Sequence, residues 1–99
     1  MADLAFESTA AGHFTLKGPL VFGTVTETLR RSRELFADHK RIDVDLSGIE
    51  STDSAGLALL VEWAGWAQRE GRSLHLHHLP DQALALARIS EVDKLLPVT

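Results

Sequence analysis

Residues 45–57 read Asp45-Leu46-Ser47-Gly48-Ile49-Glu50-Ser51-Thr52-Asp53-Ser54-Ala55-Gly56-Leu57, and the change of pattern within this stretch decides the fold. Upstream, Arg41-Ile42-Asp43-Val44-Asp45-Leu46 places apolar residues at 42, 44 and 46, the period of a strand. Downstream, Leu57, Leu60, Val61 and Ala64 recur at steps of three and four, the buried stripe of a helix that Gly71 ends. Ser47-Gly48 is expected to close the regular strand, residues 49–53 to connect, and Ser54 to cap the helix with its hydroxyl. A strand feeding a polar loop that opens a helix is the repeating unit of an α/β protein.

Working outward, the same alternation of periods recurs. Leu4 to Thr9 and His13 to Lys17 read as two strands that pair as a hairpin across Ala10 to Gly12, with Gly18-Pro19 expected to stop the second. From Phe22 to Asp38 the spacing turns helical, with Phe22, Val25, Leu29, Ser32 and Phe36 on one face and Leu35 beside them. Ser73 to Leu79 alternates again, setting Leu74 and Leu76 against His75 and His77. Pro80 suits the first turn of a third helix running to about Ile89, and Glu91 to Thr99 is left as a last strand or a helical turn. The order is β-β-α-β-α-β-α: a mixed sheet with crossover helices, in one domain spanning residues 1–99.

Composition excludes several functions. The chain has 99 residues, enough for one modest core and not for two. It carries 14 acidic and 10 basic side chains, so a net charge of -4 argues against nucleic acid as a partner. Without cysteine there are no disulfides, thiolate nucleophiles or cysteine-based zinc sites. The start, Met1-Ala2-Asp3-Leu4, lacks the basic and apolar regions of a secretory signal. The longest mostly apolar stretch, Ala55 to Ala67, contains Glu62 and falls well short of the roughly 20 residues a spanning helix needs. A cytoplasmic location is expected, with membrane attachment only indirectly through a partner.

Few residues suggest chemistry. No Gly-x-x-x-x-Gly-Lys-(Ser/Thr) loop, no Gly-x-Gly-x-x-Gly turn and no Gly-x-Ser-x-Gly elbow is present, so no nucleotide or dinucleotide cofactor is expected. Ser54 has no base partner placed by the sequence, so a hydrolase would rest on Ser54, the acids and the histidines alone. His75 and His77 share a strand face, but His78 points the other way and no third ligand is evident. A solvated or partner-facing strand is therefore expected, and no metal. Arg30, Arg31 and Arg33, with Lys40 and Arg41, form a basic patch that reads as a solvated face. Trp63 and Trp66 lie three apart on the second helix, either as interface anchors or at the edge of the core.

The stretch that decides the fold also carries a resemblance. Asp45-Leu46-Ser47 followed by Asp53-Ser54-Ala55-Gly56-Leu57 resembles the core motif of the STAS domains, the sulfate-transporter and anti-sigma-factor-antagonist family, and the element order matches over nearly the whole chain. Thr52 stands where the family is usually aliphatic, and Ala55 leaves Ser54 as the motif's only hydroxyl after Asp53. Within the family, the length, the Gly56-Leu57-Ala58-Leu59-Leu60 helix start and the Leu95-Leu96-Pro97-Val98 ending look like the small cytoplasmic subunit of the Mla-type phospholipid transporters of Gram-negative bacteria. That likeness implies a non-enzymatic accessory subunit. It would bind the ATPase subunit of an ABC transporter that maintains outer-membrane lipid asymmetry, in a complex with permease and substrate-binding subunits. The implied partner contact is Ser51, Thr52, Asp53, Ser54, Ala55 and Gly56, with Trp63 added as an interface aromatic. The likeness to anti-sigma factor antagonists implies the alternative role, with Ser54 as phosphoacceptor of a partner kinase.

Overall fold

The computed structural model describes residues 3–99; Met1 and Ala2 of the N-terminal stretch lie outside the described residues. The chain forms β1 (Ala5–Ala10), β2 (His13–Leu20), α1 (Phe22–Leu35), β3 (Arg41–Thr52), α2 (Ser54–Arg69), β4 (Ser73–His77), α3 (Asp81–Ile89) and a short 3-10 turn at Asp93–Leu95. The sheet runs β1-β2-β3-β4, with β1 antiparallel to β2 and the other two pairings parallel. The expected β-β-α-β-α-β-α order and mixed sheet are therefore present. Of the two forms expected for the tail the helical one is present, as the 3-10 turn; beyond it Val98 makes a single bridge to Leu76 of β4 and no further strand.

Alternation along the strands sorts the sheet into two faces. Phe14, Leu16, Ile42, Val44, Leu46, Leu74 and Leu76 point into one core with Phe36 of α1, Leu57, Leu60 and Trp63 of α2, and Ala87 of α3. The helices therefore cover one face. The other face is polar, with His13, Thr15 and Lys17 on β2, Asp43 and Asp45 on β3, and His75 and His77 on β4.

Two strands outrun their expected ends. β3 continues through Ser47-Gly48 to Thr52, because that dipeptide forms a bulge and does not end the strand. The β2 register steps from Thr15↔Asp45 to Lys17↔Gly48, so β3 spends one residue more than its neighbour. Asp45 Oδ1 accepts the Ser47 N–H at 2.9 Å inside the bulge. A Cβ at Gly48 would lie 2.7 Å from Lys17 Cγ and 2.9 Å from Leu16 O, so glycine is what lets β2 pass. β2 likewise continues past Gly18-Pro19 to Leu20. Its last β1 partner is at Lys17, so Pro19 meets no β1 residue that needs its missing N–H.

The helix faces are also rotated from expectation. In α1 the buried residues are Thr28 and Ser32, Val25 and Leu29 are half-buried, Phe22 is exposed, and the helix stops at Leu35 and not at Asp38. Thr28 hides its hydroxyl by donating to Thr24 O at 2.8 Å. In α2 the buried stripe is Gly56, Leu57, Leu59, Leu60, Trp63 and Ala67, with Val61 and Ala64 only half-buried. Arg72 completes the end of α1: its Nη1 donates to the carbonyls of Phe36, Ala37 and His39 at 2.8–3.1 Å, while its guanidinium lies over Trp66.

Candidate functional site

The junction from β3 into α2 gathers the ends of three other elements, α1, β2 and α3, around Thr52 and Asp53. Asp53, not Ser54, is the N-cap of α2: its backbone is extended and its Oδ1 accepts the Gly56 N–H at 3.0 Å. Its Oδ2 accepts the Phe22 N–H, the first of α1, at 3.1 Å. The residue preceding α1 is Val21, which has no side-chain acceptor, so Asp53 caps a second helix from 31 residues away. Burial pushes the Asp53 carboxyl up, but the N–H groups of Phe22, Gly56 and Ala55 together hold it below its ordinary range. Ser54 becomes the first residue of α2. It is exposed, and its hydroxyl has no hydrogen-bond partner among the described residues.

Thr52 and Gly56 clamp the junction from inside. Thr52 is 3% exposed and donates its hydroxyl to Leu20 O at 2.9 Å, while its N–H donates to Gln82 Oε1 of α3 at 3.1 Å. The hydroxyl at this usually aliphatic position is thus buried with a partner. A Cβ on Gly56 would lie 2.0 Å from Leu20 O and 2.3 Å from Thr52 Oγ1, so the first turn of α2 can approach the end of β2 only as glycine.

Of the seven expected contact residues, Ser51 and Ser54 are exposed, Asp53 and Ala55 are half-buried, and Thr52, Gly56 and Trp63 face inward. Trp63 as an interface aromatic is corrected: it is 1% exposed, packs against Phe6 and Phe36, and donates its indole N–H to Ser32 Oγ at 3.0 Å. Its helical position faces the sheet once the α2 stripe is rotated as described. Gln82, which no sequence pattern marks, and Phe22, expected only on the buried face of α1, also belong to the junction. Their only signal is long-range contact, which no local pattern carries.

The other candidates lie on the open sheet face or on α1. His77 Nε2 meets Asp43 Oδ1 at 2.7 Å, and His78 Nδ1 meets Asp45 Oδ1 at 3.0 Å. The Arg41 guanidinium, followed by the His77 contact, holds the Asp43 carboxyl down at about 2 against the opposing effect of burial. Among the described residues no three His, Asp or Glu side chains converge as metal ligands. The basic patch is dispersed: Arg30 pairs with Glu27 and Glu34, Arg31 stacks on Phe6, and Arg41 pairs with Asp43. Among the described residues no helix is long and apolar enough to cross a membrane.

This architecture has known counterparts. A Thermotoga maritima protein described as an anti-sigma factor antagonist superposes with a TM-score of 0.78 at 15% identity, over 96% of this chain and 84% of that one. The anti-sigma factor antagonist SpoIIAA in its unphosphorylated form gives 0.71 at 11% identity, over 97% of this chain and 87% of that one, and the Bacillus protein is also known in its phosphorylated form. The murine anion transporter Slc26a9 gives 0.64 at 16% identity, over 92% of this chain but only 16% of the transporter. At these identities the likeness establishes the fold alone. No curated protein sequence matches the chain. A family model described as "Mlab, STAS domain" matches residues 6–97. That match takes in the bulged β3, the Asp53 cap and the Gly56 crossing in one span, and by it the chain belongs to the MlaB-type STAS domain family.

Proposed function

We propose that this chain is an MlaB-type accessory subunit that docks on the ATPase subunit (MlaF-type) of a phospholipid ABC transporter, in a complex with permease and substrate-binding subunits. The observation that carries the reading is the β3–α2 junction. Hydrogen bonds tie α1, β2 and α3 to the junction from behind, so Ser51, Ser54 and Ala55 are held on a stiff surface with a free hydroxyl at a helix start. A rigid face limits the ordering cost of association, which suits a small docking module better than a catalyst. Attachment to the inner face of the membrane runs through the partner. A docked domain changes ATPase output only by binding one conformation of the ATPase better than another.

Ser54 is exposed, so a substitution there tests contact without unfolding the domain. Ser54→Glu adds bulk and charge beside Asp53 and is expected to lose co-purification with the ATPase and its stimulation. Retention of both at the wild-type level overturns the contact assignment.

The same hydroxyl favours a second reading, an anti-sigma factor antagonist switched by phosphorylation. A phosphate on Ser54 would sit at the positive end of α2 but next to the Asp53 carboxylate that already caps it. Intact-mass measurement of protein from its native host tests this. A protein that never carries phosphate on Ser54 under any growth condition ends it.

A further inference from the structure

β4 is shorter than the strand it flanks. It covers β3 only from Arg41 to Asp45, and the partner of Asp45, His77, is its last residue. β3 runs on to Thr52 with β2 on one side and, among the described residues, no strand on the other. At the end of this open edge the partner is a side chain. Gln82 Oε1, from the first turn of α3, accepts the Thr52 N–H at 3.1 Å, across 30 residues of sequence. The backbone from which Gln82 reaches is set by packing, since the next residue, Ala83, is 0% exposed. Gln82 itself is exposed, and its amide oxygen does what a neighbouring strand's carbonyl does elsewhere in the sheet.

Resting on the docking reading above, we propose that Gln82 is a positioning residue for the docking surface: it holds Thr52 from the α3 side and so sets how Ser51 and Ser54 face the ATPase, without contacting the ATPase itself. Thr52 is the pivot of the junction, because Ser51 precedes it and the Asp53 cap follows it. Its hydroxyl secures it to Leu20 of β2, and Gln82 holds it from the opposite edge. Without that acceptor the N–H of a residue only 3% exposed is left unpaired, which favours any backbone geometry that brings it to water. A partner that recognises the native geometry then binds more weakly, in proportion to the fraction of chains that still present it. The requirement is for an acceptor alone. A carboxylate oxygen at the same reach therefore serves as well as an amide oxygen, and a thioether, a weak acceptor, does not.

The test compares Gln82→Met, which keeps the length and helix preference of the side chain but discards the strong acceptor, with Gln82→Glu, which restores it. Both replace an exposed side chain, so the domain stays folded, as circular dichroism and urea denaturation verify. In Gln82→Met, amide exchange at Thr52 is expected to quicken, and affinity for the purified ATPase to fall, each by about 5-fold or more. Gln82→Glu is expected to return both to near wild type. A bond that only stabilises the fold would lower the urea midpoint and leave the affinity of the folded chain unchanged. That result, with binding lost in Ser54→Glu, overturns the positioning role and leaves the docking reading standing. Equal loss of affinity in both variants, with Thr52 exchange restored in Gln82→Glu, makes Gln82 a direct contact and also overturns the proposal. Unchanged exchange at Thr52 in Gln82→Met overturns it as well. Failure of the wild-type chain to bind the ATPase overturns the docking reading and this role with it.

Discussion

Replacing Asp53 by alanine removes two helix caps in one step. Its two oxygens serve two helix N-termini, Gly56 N–H of α2 at 3.0 Å and Phe22 N–H of α1 at 3.1 Å. Loss of an N-cap side chain costs about 1 kcal/mol, within a span of roughly 0.5–2, and here two are lost together. The carboxylate charge at two positive helix ends adds about 0.3–1 kcal/mol for each. Asp53→Ala is therefore expected to destabilise the domain by about 2–4 kcal/mol. Asp53→Asn keeps one accepting oxygen and one cap, so it is expected to cost about half as much. For a domain of this size, each kcal/mol lowers Tm by roughly 4–8 °C, so the alanine variant should melt at least about 8 °C below wild type. Urea denaturation followed by circular dichroism gives the free energy. Amide hydrogen exchange locates it, with protection expected to fall at Phe22 and Gly56 together. A loss below about 0.5 kcal/mol, or exchange that rises at Gly56 with Phe22 unchanged, would refute the shared cap.

Two further outcomes follow from the same packing. Gly56→Ala places a Cβ 2.0 Å from Leu20 O and is expected to destabilise by about 3 kcal/mol or more, and a stability within about 1 kcal/mol of wild type would contradict the crossing. Asp43, held at about 2 against an ordinary carboxylate value near 4, contributes stability that is complete above about pH 4 and fades as pH falls towards 2. Comparing acid denaturation of wild type and Asp43→Asn should show a gap of about 1–2 kcal/mol at neutral pH that closes in that window, and a gap independent of pH would remove Asp43 from the account.

The stretch from Asp45 to Leu57 by itself determined most of what is known of this protein. The switch from a two-residue to a 3.6-residue period marks β3 and α2, and the same switch elsewhere marks every other element in its order. These are local signals, written in adjacent residues, and so was the motif that pointed to the STAS family. Tertiary structure alone decided the rest. Ser47-Gly48 reads as a stop until β2 lies beside it and turns it into a bulge. Ser54 and Asp53 are equally good caps until the Phe22 N–H arrives from 31 residues away and engages the carboxylate. Trp63 could face either way until the stripe of α2 is rotated onto the sheet, which buries it and leaves Phe22 as the exposed aromatic. Each of these depends on which distant backbone groups come to share a few ångströms of space. Periodicity records which residues lie on one face, but the approach of another element determines whether that face is buried, and burial decides whether a polar group spends its hydrogen bonds inside the domain or offers them to a partner.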